Sequence, residues 1–325
     1  MNIKLDNSFY LEHFLDCQAL TKTAINQVFS LAANLKANKI NPAGWLNGKI
    51  IASCFFEPST RTRLSFESAI YRLGGQVIGF SDGQNTSSKK GETITDAIKV
   101  ISTYAHAIIL RQPESGGVKK ASLYSSVPVI NAGDGQNQHP TQTLIDIFTI
   151  NETQNQIDGC YIGIVGDLKY SRTIHSLIEA LTLFNVRLAF VCPNNLQLPA
   201  ELCALLNQHN IPFSYHNRVE DIIDQIDILY MTRLQTERFH ADDASNQPPV
   251  EVLTPEVLGH AKANLKILHP LPRQAELPSA IDNTPCAYYF QQAANGLFVR
   301  QALLALILTP PEILAQSVNV SKGHV

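Results

Sequence analysis

Short apolar runs alternate with helix-patterned segments along most of this chain, and that alternation limits its fold more than any other feature. Lys49 to Phe56 is a strand-like apolar run. EPSTRTRLSFESAIYRLGG follows it, where a Pro and three hydroxyl residues precede a periodic helix that closes at Gly74-Gly75. The pattern recurs in VIGFS, a polar loop, helix-like ETITDAIKVISTYA, strand-like HAIILR and VPVINAG, and a helix from about Pro140. Strands alternating with helices predict a parallel sheet, since parallel neighbours need a crossover between them. After the polar stretch Asn151 to Asp158 a second series begins: YIGIVGD, helix SRTIHSLIEALTLF, strand RLAFVCP, helix LPAELCALLNQHN, strand DILYMTR and strand LKILHPL. This predicts a second α/β unit.

The chain's 325 residues allow for two domains at roughly 150 residues each. The first is expected over 1–145 and the second over 152–290. Ahead of the first strand, Leu20, Ile25, Phe29 and Leu31 recur at helical spacing. Near the end, Asn295 to Leu308 reads as one helix that crosses back, so residues 295–310 are expected to complete the first domain. Residues 311–325 form a polar, proline-broken tail, expected to be disordered or docked on a partner and assigned no function.

Composition removes several classes of function. The 45% hydrophobic and 16% charged content argues against bulk disorder, and the net charge of -3 without a basic run argues against nucleic acid. No apolar stretch approaches the roughly 20 residues that span a bilayer. Cys17, Cys54, Cys160, Cys192, Cys203 and Cys286 are scattered without a C-x-x-C pair, so no metal site is expected and they read as reduced core thiols of a cytoplasmic protein.

Polar groups gather where the strands end. Ser59, Thr60, Arg61, Thr62 and Arg63 lie between a strand and a helix start, where N–H groups, a helix dipole, hydroxyls and a guanidinium can converge on an anion. The alternative is that Ser59 and Thr60 only cap the helix while both arginines lie in solvent. In AGDGQNQHPTQ, Ala132 to Gln142, His139 and Gln142 are three apart and can grip a carbonyl, although a His before a helix-starting Pro also serves as a cap. Arg111 ends the strand AIILR. In the second series Gly166 and Asp167 follow a strand, Arg172 opens a helix, Arg233 and Gln235 follow DILYMT, and Pro270-Leu271-Pro272 forms a rigid turn before Arg273. Each could be an ordinary surface turn, but together they occupy the strand ends where open α/β sheets place ligands. GIVGDLKYSRT is not G-x-G-x-x-G, so a nucleotide-binding dehydrogenase lacks its fingerprint.

FFEPSTRTRLSFE, INAGDGQNQHPTQTLIDIF, VGDLKYSRT, LYMTRLQTER and LHPLPR, in this order between about Lys49 and Leu308, resemble the aspartate/ornithine carbamoyltransferase family in its aspartate-using branch. The resemblance implies an α/β fold of two doubly wound parallel-sheet domains, the first for carbamoyl phosphate and the second for L-aspartate. The active site would lie in the cleft between them and at the subunit interface of a homotrimer, which acts alone or with separate regulatory chains. The implied reaction is an ordered, metal-free and cofactor-free carbamoyl transfer through a tetrahedral intermediate, the committed step of de novo pyrimidine biosynthesis.

The resemblance also implies roles. Ser59, Thr60, Arg61, Thr62 and Arg111 hold the phosphate, and His139, Gln142 and Thr62 hold the carbamoyl group. Arg172, Arg233 and Gln235 clamp aspartate, while the carbonyls of Pro270 and Leu271 orient its amine and the Leu271–Pro272 bond is cis. Glu57 would pair with Arg172 and Arg238 on domain closure. SDGQNTSSKKGE resembles a loop lent to the neighbouring chain, with Lys90 contacting substrate. That loop is one residue short of the family pattern, so its serine role falls to Thr86 or Ser87, with Ser87 favoured. Relatives that use ornithine carry an H-C-L-P turn, whereas this chain has His269-Pro270-Leu271-Pro272 and the Arg233/Gln235 pair. A non-catalytic paralogue subunit is the remaining alternative, favoured only by the shortened loop.

Overall fold

In the computed structural model, residues 8–18, 20–236, 239 and 251–320 are described. The chain divides into two compact units, one running to Leu144 and resuming at Asn295, the other spanning Ile145–Ala294. In the first, α1 (Lys22–Lys36) is capped by Thr21, whose hydroxyl accepts from the Ala24 N–H at 3.1 Å. There follow β1 (Ile50–Phe55), α2 (Thr60–Arg72), β2 (Gln76–Phe80), α3 (Ile94–Tyr104), β3 (Ala107–Gln112), α4 (Gly117–Ser122), β4 (Val129–Asp134) and the start of α5 (Pro140–Gln154).

The four strands form a parallel sheet ordered β2-β1-β3-β4. β1 and β3 are apolar on both faces because helices cover both, which is why they read as continuous runs rather than alternating ones. Cys54, Ile98, Ile108, Leu110, Val118 and Val129 meet in the core beneath α3 and α4.

The second unit carries β5 (Tyr161–Val165), α6 (Arg172–Leu181), β6 (Arg187–Val191), α7 (Ala200–Gln208), β7 (Phe213–His216), β8 (Ile228–Met231), α8 (Pro255–Leu258) and β9 (Lys266–Leu268). Its five parallel strands are ordered β7-β6-β5-β8-β9. Two helices close the chain, α9 (Tyr289–Leu308) and α10 (Pro311–Val320). Both α5 and α9 run through the boundary between the units.

Strand order locates the crevices. In the first sheet the chain moves from β1 out to β2 and then returns to the other side of β1, so winding reverses between β1 and β3. In the second it reverses between β5 and β8. At such a reversal the connections leave in opposite directions and open a gap at the carboxyl ends of the two strands.

Several expectations need correction. α4, β7 and the 3-10 turns Gly83–Asn85 and Ser87–Lys90 are absent from the sequence reading, and α9 starts six residues earlier, at Tyr289 rather than Asn295. The supposed tail contains a helix, α10, which seats Leu314 in the interior. The thiols are not all core groups either: Cys17, Cys54 and Cys160 are buried, whereas Cys192, Cys203 and Cys286 are partly exposed. Burial pushes the Cys54 and Cys192 thiols up to about 12, so neither is a thiolate near neutral pH. No helix among the described residues is long and apolar enough to cross a membrane.

Candidate active site

The first unit presents its polar groups at the β1/β3 reversal. Phe55 and Arg111 are register partners there, so the loop after β1 and the Arg111 side chain share one edge. Ser59 stands at the N-cap of α2 in extended conformation, yet its side chain makes no capping bond. The reading of Ser59 as a plain cap therefore fails, and the first N–H groups of α2 are left for a ligand. Thr60 and Arg61 are exposed and Thr62 is buried.

The two arginines of this turn differ. Arg63 Nε donates to Glu67 Oε1 at 2.7 Å, and the same oxygen accepts from Ser53 Oγ at 3.0 Å. Arg61 has no hydrogen-bond or ion-pair partner among the described residues, while the protein around it removes part of its hydration and lowers its pKa. It stays charged at neutral pH, so the cradle holds a partly desolvated cation beside unpaired N–H donors.

Arg111 is buried and faces Glu57, with Nη2 to Oε1 at 3.3 Å, and its Nη1 donates to the Ala132 carbonyl at 3.4 Å. His139, also buried, precedes α5, and its carbonyl accepts from the N–H groups of Gln142 at 2.9 Å and Thr143 at 3.2 Å. The approach to His139 is held by Asp134, a residue without a role in the sequence reading. Its Oδ1 accepts from Gln138 N at 2.9 Å, and its Oδ2 from Gly116 N and Asn137 Nδ2, both at 3.1 Å.

Sequence reasoning also misses Arg300. Buried on α9, it donates to Ser65 Oγ on α2 at 2.6 Å, lies 3.5 Å from Thr141 Oγ1 on α5 and stacks 4.9 Å from the Phe66 ring centre. It thereby braces the helices that begin at Thr60 and Pro140. The available signal is that Arg300 is the only charged residue of α9, and a charge inside such a helix demands partners.

In the second unit Arg172 is the first residue of α6 and is buried, while Arg233 and Gln235 follow β8. Arg233 Nη1 donates to the Leu234 carbonyl at 2.9 Å, and Gln235 Nε2 to the Arg233 carbonyl at 3.3 Å. Asp167 joins the two loops: Oδ1 accepts from Lys169 N at 3.1 Å and Tyr170 N at 2.9 Å, and Oδ2 from Gln235 N at 3.0 Å. Gly166 has φ +117, and a Cβ there would lie 2.1 Å from the Thr232 carbonyl oxygen, so only glycine lets these strand ends approach. A cavity of about 240 Å³ opens at this edge, lined in part by Gly166, Cys192, Asn194, Thr232, Leu234 and Glu276.

Pro270 and Leu271 follow β9, with Leu271 at φ +55 and the Leu271–Pro272 bond cis, matching what the resemblance implies. Arg238 lies outside the described residues. Ser87 and Lys90 are exposed and make no side-chain hydrogen bond or ion pair among the described residues, so the chain does not bring them to its own cradle. Thr86 Oγ1 is committed to its own loop, donating to the Gly83 carbonyl at 2.7 Å and accepting from Ser88 N at 3.3 Å, which leaves Ser87 as the outward hydroxyl. No group of three or more His, Cys, Asp or Glu suited to a metal occurs among the described residues.

Two family profiles cover this architecture. The aspartate/ornithine carbamoyltransferase carbamoyl-P binding domain matches residues 12–152, and the Asp/Orn binding domain of the same family matches residues 158–307. The chain belongs to the aspartate/ornithine carbamoyltransferase family. Within it, the chain is 50% identical over 307 residues to an aspartate carbamoyltransferase catalytic subunit of Vibrio vulnificus, covering 94% of this chain and 99% of that one. Among solved structures, it resembles the catalytic subunit of M. jannaschii aspartate transcarbamoylase at 41% identity and TM-score 0.79, over 96% of this chain and 100% of that one. Aspartate transcarbamoylase from Trypanosoma cruzi, in complex with carbamoyl phosphate and aspartate, matches at 31% identity and TM-score 0.88, over 94% and 100% of the two chains.

Proposed function

We propose that this chain catalyses attack of the L-aspartate α-amine on the carbonyl carbon of carbamoyl phosphate, through a tetrahedral intermediate that expels phosphate and leaves N-carbamoyl-L-aspartate. What carries the reading is the half identity, over nearly the full chain, with a relative named as an aspartate carbamoyltransferase catalytic subunit. The chain's own groups suit both substrates. The α2 N–H groups, the hydroxyls of Ser59, Thr60 and Thr62, and Arg61 and Arg111 bind the phosphate, with Arg61 stabilising the oxygen that leaves. Gln142 and Thr62 orient the carbamoyl group, and His139 donates to its oxygen as negative charge develops there. Arg172, Arg233 and Gln235 take the two carboxylates of aspartate, and the carbonyls of Pro270 and Leu271 direct its amine.

The amine gives up its proton to the departing phosphate, which gains basicity as the C–O bond breaks. Catalysis then rests on positioning and preorganised charge, where one well-placed oxyanion donor is worth roughly 3 kcal/mol. The phosphate competes with Glu57 for Arg111, so binding of carbamoyl phosphate frees Glu57 to pair with Arg172 and Arg238. This couples the first substrate to assembly of the aspartate site.

The proposed active form is a cytoplasmic homotrimer in which Ser87 and Lys90 serve the neighbouring subunit, and its place is the entry to pyrimidine synthesis. Support comes from the exposure of both side chains and from six free thiols. The test is ureido-product formation from carbamoyl phosphate with L-aspartate or L-ornithine, with the particle mass measured by light scattering. Product with aspartate alone, from a trimer-sized particle, is expected. Product with ornithine would overturn the second-unit assignment, and a folded but inactive trimer would favour the non-catalytic paralogue.

A further inference from the structure

His269 lies immediately after β9, almost fully buried, and both nitrogens of its ring are bound. Nδ1 is 2.8 Å from the Leu271 backbone nitrogen, which can only donate, so Nδ1 carries the lone pair. The ring proton of the neutral imidazole is then on Nε2, where it is donated to Glu276 Oε1 at 3.1 Å. Glu276 is equally buried, and the same oxygen also accepts from Gln274 N at 2.8 Å. The His269 backbone is fixed as well: its N–H donates to Gln292 Oε1 at 2.8 Å, and Gln292 Nε2 donates to Asp146 Oδ1 at 2.7 Å. Asp146 accepts on its other oxygen from Tyr230 at 2.9 Å.

Leu271 packs against the core of the second unit, but the turn that follows His269 has few backbone donors to fix its peptides. Pro270 and Pro272 have no N–H, so Leu271 supplies the only backbone donor in the Pro270-Leu271-Pro272 segment. That donor is bound to the imidazole, while Leu271 sits at φ +55, a conformation that a branched side chain rarely adopts unless its surroundings impose it. The Leu271 N–H and the Pro270 carbonyl belong to one planar peptide, so the imidazole fixes that carbonyl directly and the Leu271 carbonyl through the adjoining backbone.

We propose that His269, anchored by Glu276, is a positioning residue that pins the Leu271 N–H and thereby aims the Pro270 and Leu271 carbonyls at the amine of the second substrate. The inference rests on the carbamoyl-transfer reading above and adds to it a residue that touches no substrate. A displacement of about 1 Å in a group that orients a nucleophile can cost on the order of a hundredfold in rate.

Two substitutions separate the two ring contacts. His269→Asn keeps an acceptor near the Nδ1 position, whereas His269→Gln reaches toward Glu276 and leaves the Leu271 N–H without an acceptor. In the full-length protein, His269→Asn is expected to stay within a fewfold of wild type. His269→Gln is expected to lose tenfold or more in kcat/KM for aspartate while its Kd for carbamoyl phosphate, measured by calorimetry, is unchanged. Glu276→Gln, which keeps an accepting oxygen, is expected to resemble wild type, and Glu276→Ala to resemble His269→Gln. Equal losses in His269→Asn and His269→Gln, or weakened carbamoyl phosphate binding in either, would overturn the assignment. Should His269→Gln fail to fold, Glu276→Ala carries the same comparison, and failure of both to fold would make the pair a scaffold element and sink the proposal. Wild-type protein that forms no product with aspartate would instead indict the carbamoyl-transfer reading.

Discussion

Arg61 and Arg63 stand two residues apart on the first turns of α2 with identical charge, and their partners separate them. Arg63 is bound to Glu67, whereas Arg61 has no counter-charge among the described residues and has lost part of its hydration. Arg61→Ala is therefore expected to lower the turnover number by a hundredfold or more with the fold intact, as loss of a charged oxyanion-type donor does. Arg63→Ala is expected to change turnover less than tenfold and to act mainly on stability, because its partly buried i,i+4 pair with Glu67 is worth only about 0.5 kcal/mol. Steady-state rates and melting curves on both variants check this, and equal losses of turnover would refute the assignment of the cradle. Gly166 answers to geometry instead of charge. With φ +117 and the Thr232 oxygen 2.1 Å from the place a methyl carbon would take, Gly166→Ala is expected to destabilise the chain by about 2 kcal/mol or more, read as a melting midpoint lower by several degrees.

Each element of the site is only as useful as the contact that fixes its loop, and in the second unit that contact is Asp167. Its carboxylate accepts three backbone N–H groups, one of them from Gln235, 68 residues away. In Asp167→Asn the amide oxygen can retain the near pair, but the amide nitrogen then meets the Gln235 N–H donor to donor. The loop bearing Arg233 and Gln235 is expected to loosen, raising KM for aspartate tenfold or more while carbamoyl phosphate binding holds. An unchanged KM would show that this tie does not matter. The same residue marks the limit of what the sequence could reveal. Central strands such as β1 and β3 are legible because double-sided burial writes an unbroken apolar run, and Arg61, Arg172 and Arg233 are legible because they follow such runs. β7 is not, since an edge strand of four residues with two exposed side chains has no run to see. α10 reads as a tail because two prolines suggest a break, although Pro311 sits at the first helical position, where its missing N–H costs nothing. Asp134 and Asp167 bind neighbours in sequence too, but their ties to Gly116 and Gln235, like those of Arg300 to Ser65 and Thr141, join residues far apart, and no local pattern names such partners.

At the scale of the whole molecule three carboxylates of the second unit are held ionised by their partners, and this predicts that the second unit yields first to acid. In the second unit, Arg273 and Tyr289 bind Asp282 and hold its pKa down to about 2. Burial works to raise Asp227 and Glu276, but hydrogen bonds from Lys262, Asn264 and Tyr161 N to the first, and from His269 and Gln274 N to the second, outweigh it and leave both below their ordinary values. A carboxyl that binds its proton less readily folded than unfolded contributes stability that is complete above its unfolded value, 3.8 for Asp and 4.5 for Glu, and drains as pH falls through the folded value. The second unit is therefore expected to lose stability between about pH 4.5 and pH 2. In the first unit His13, whose pKa partial desolvation lowers against the pull of Glu12, works in the same direction, but it begins to act near its ordinary 6.5. The single tryptophan, Trp45, is buried in the first unit, so its fluorescence reports that unit while far-ultraviolet dichroism reports both. On acid titration below pH 4.5, dichroism should fall before the Trp45 emission shifts. Salt should advance the loss at the partly exposed Arg273–Asp282 pair, because screening weakens the attraction that keeps Asp282 ionised. Coincident transitions at every salt concentration would mean that the two units unfold as one and that these carboxylates do not set the order.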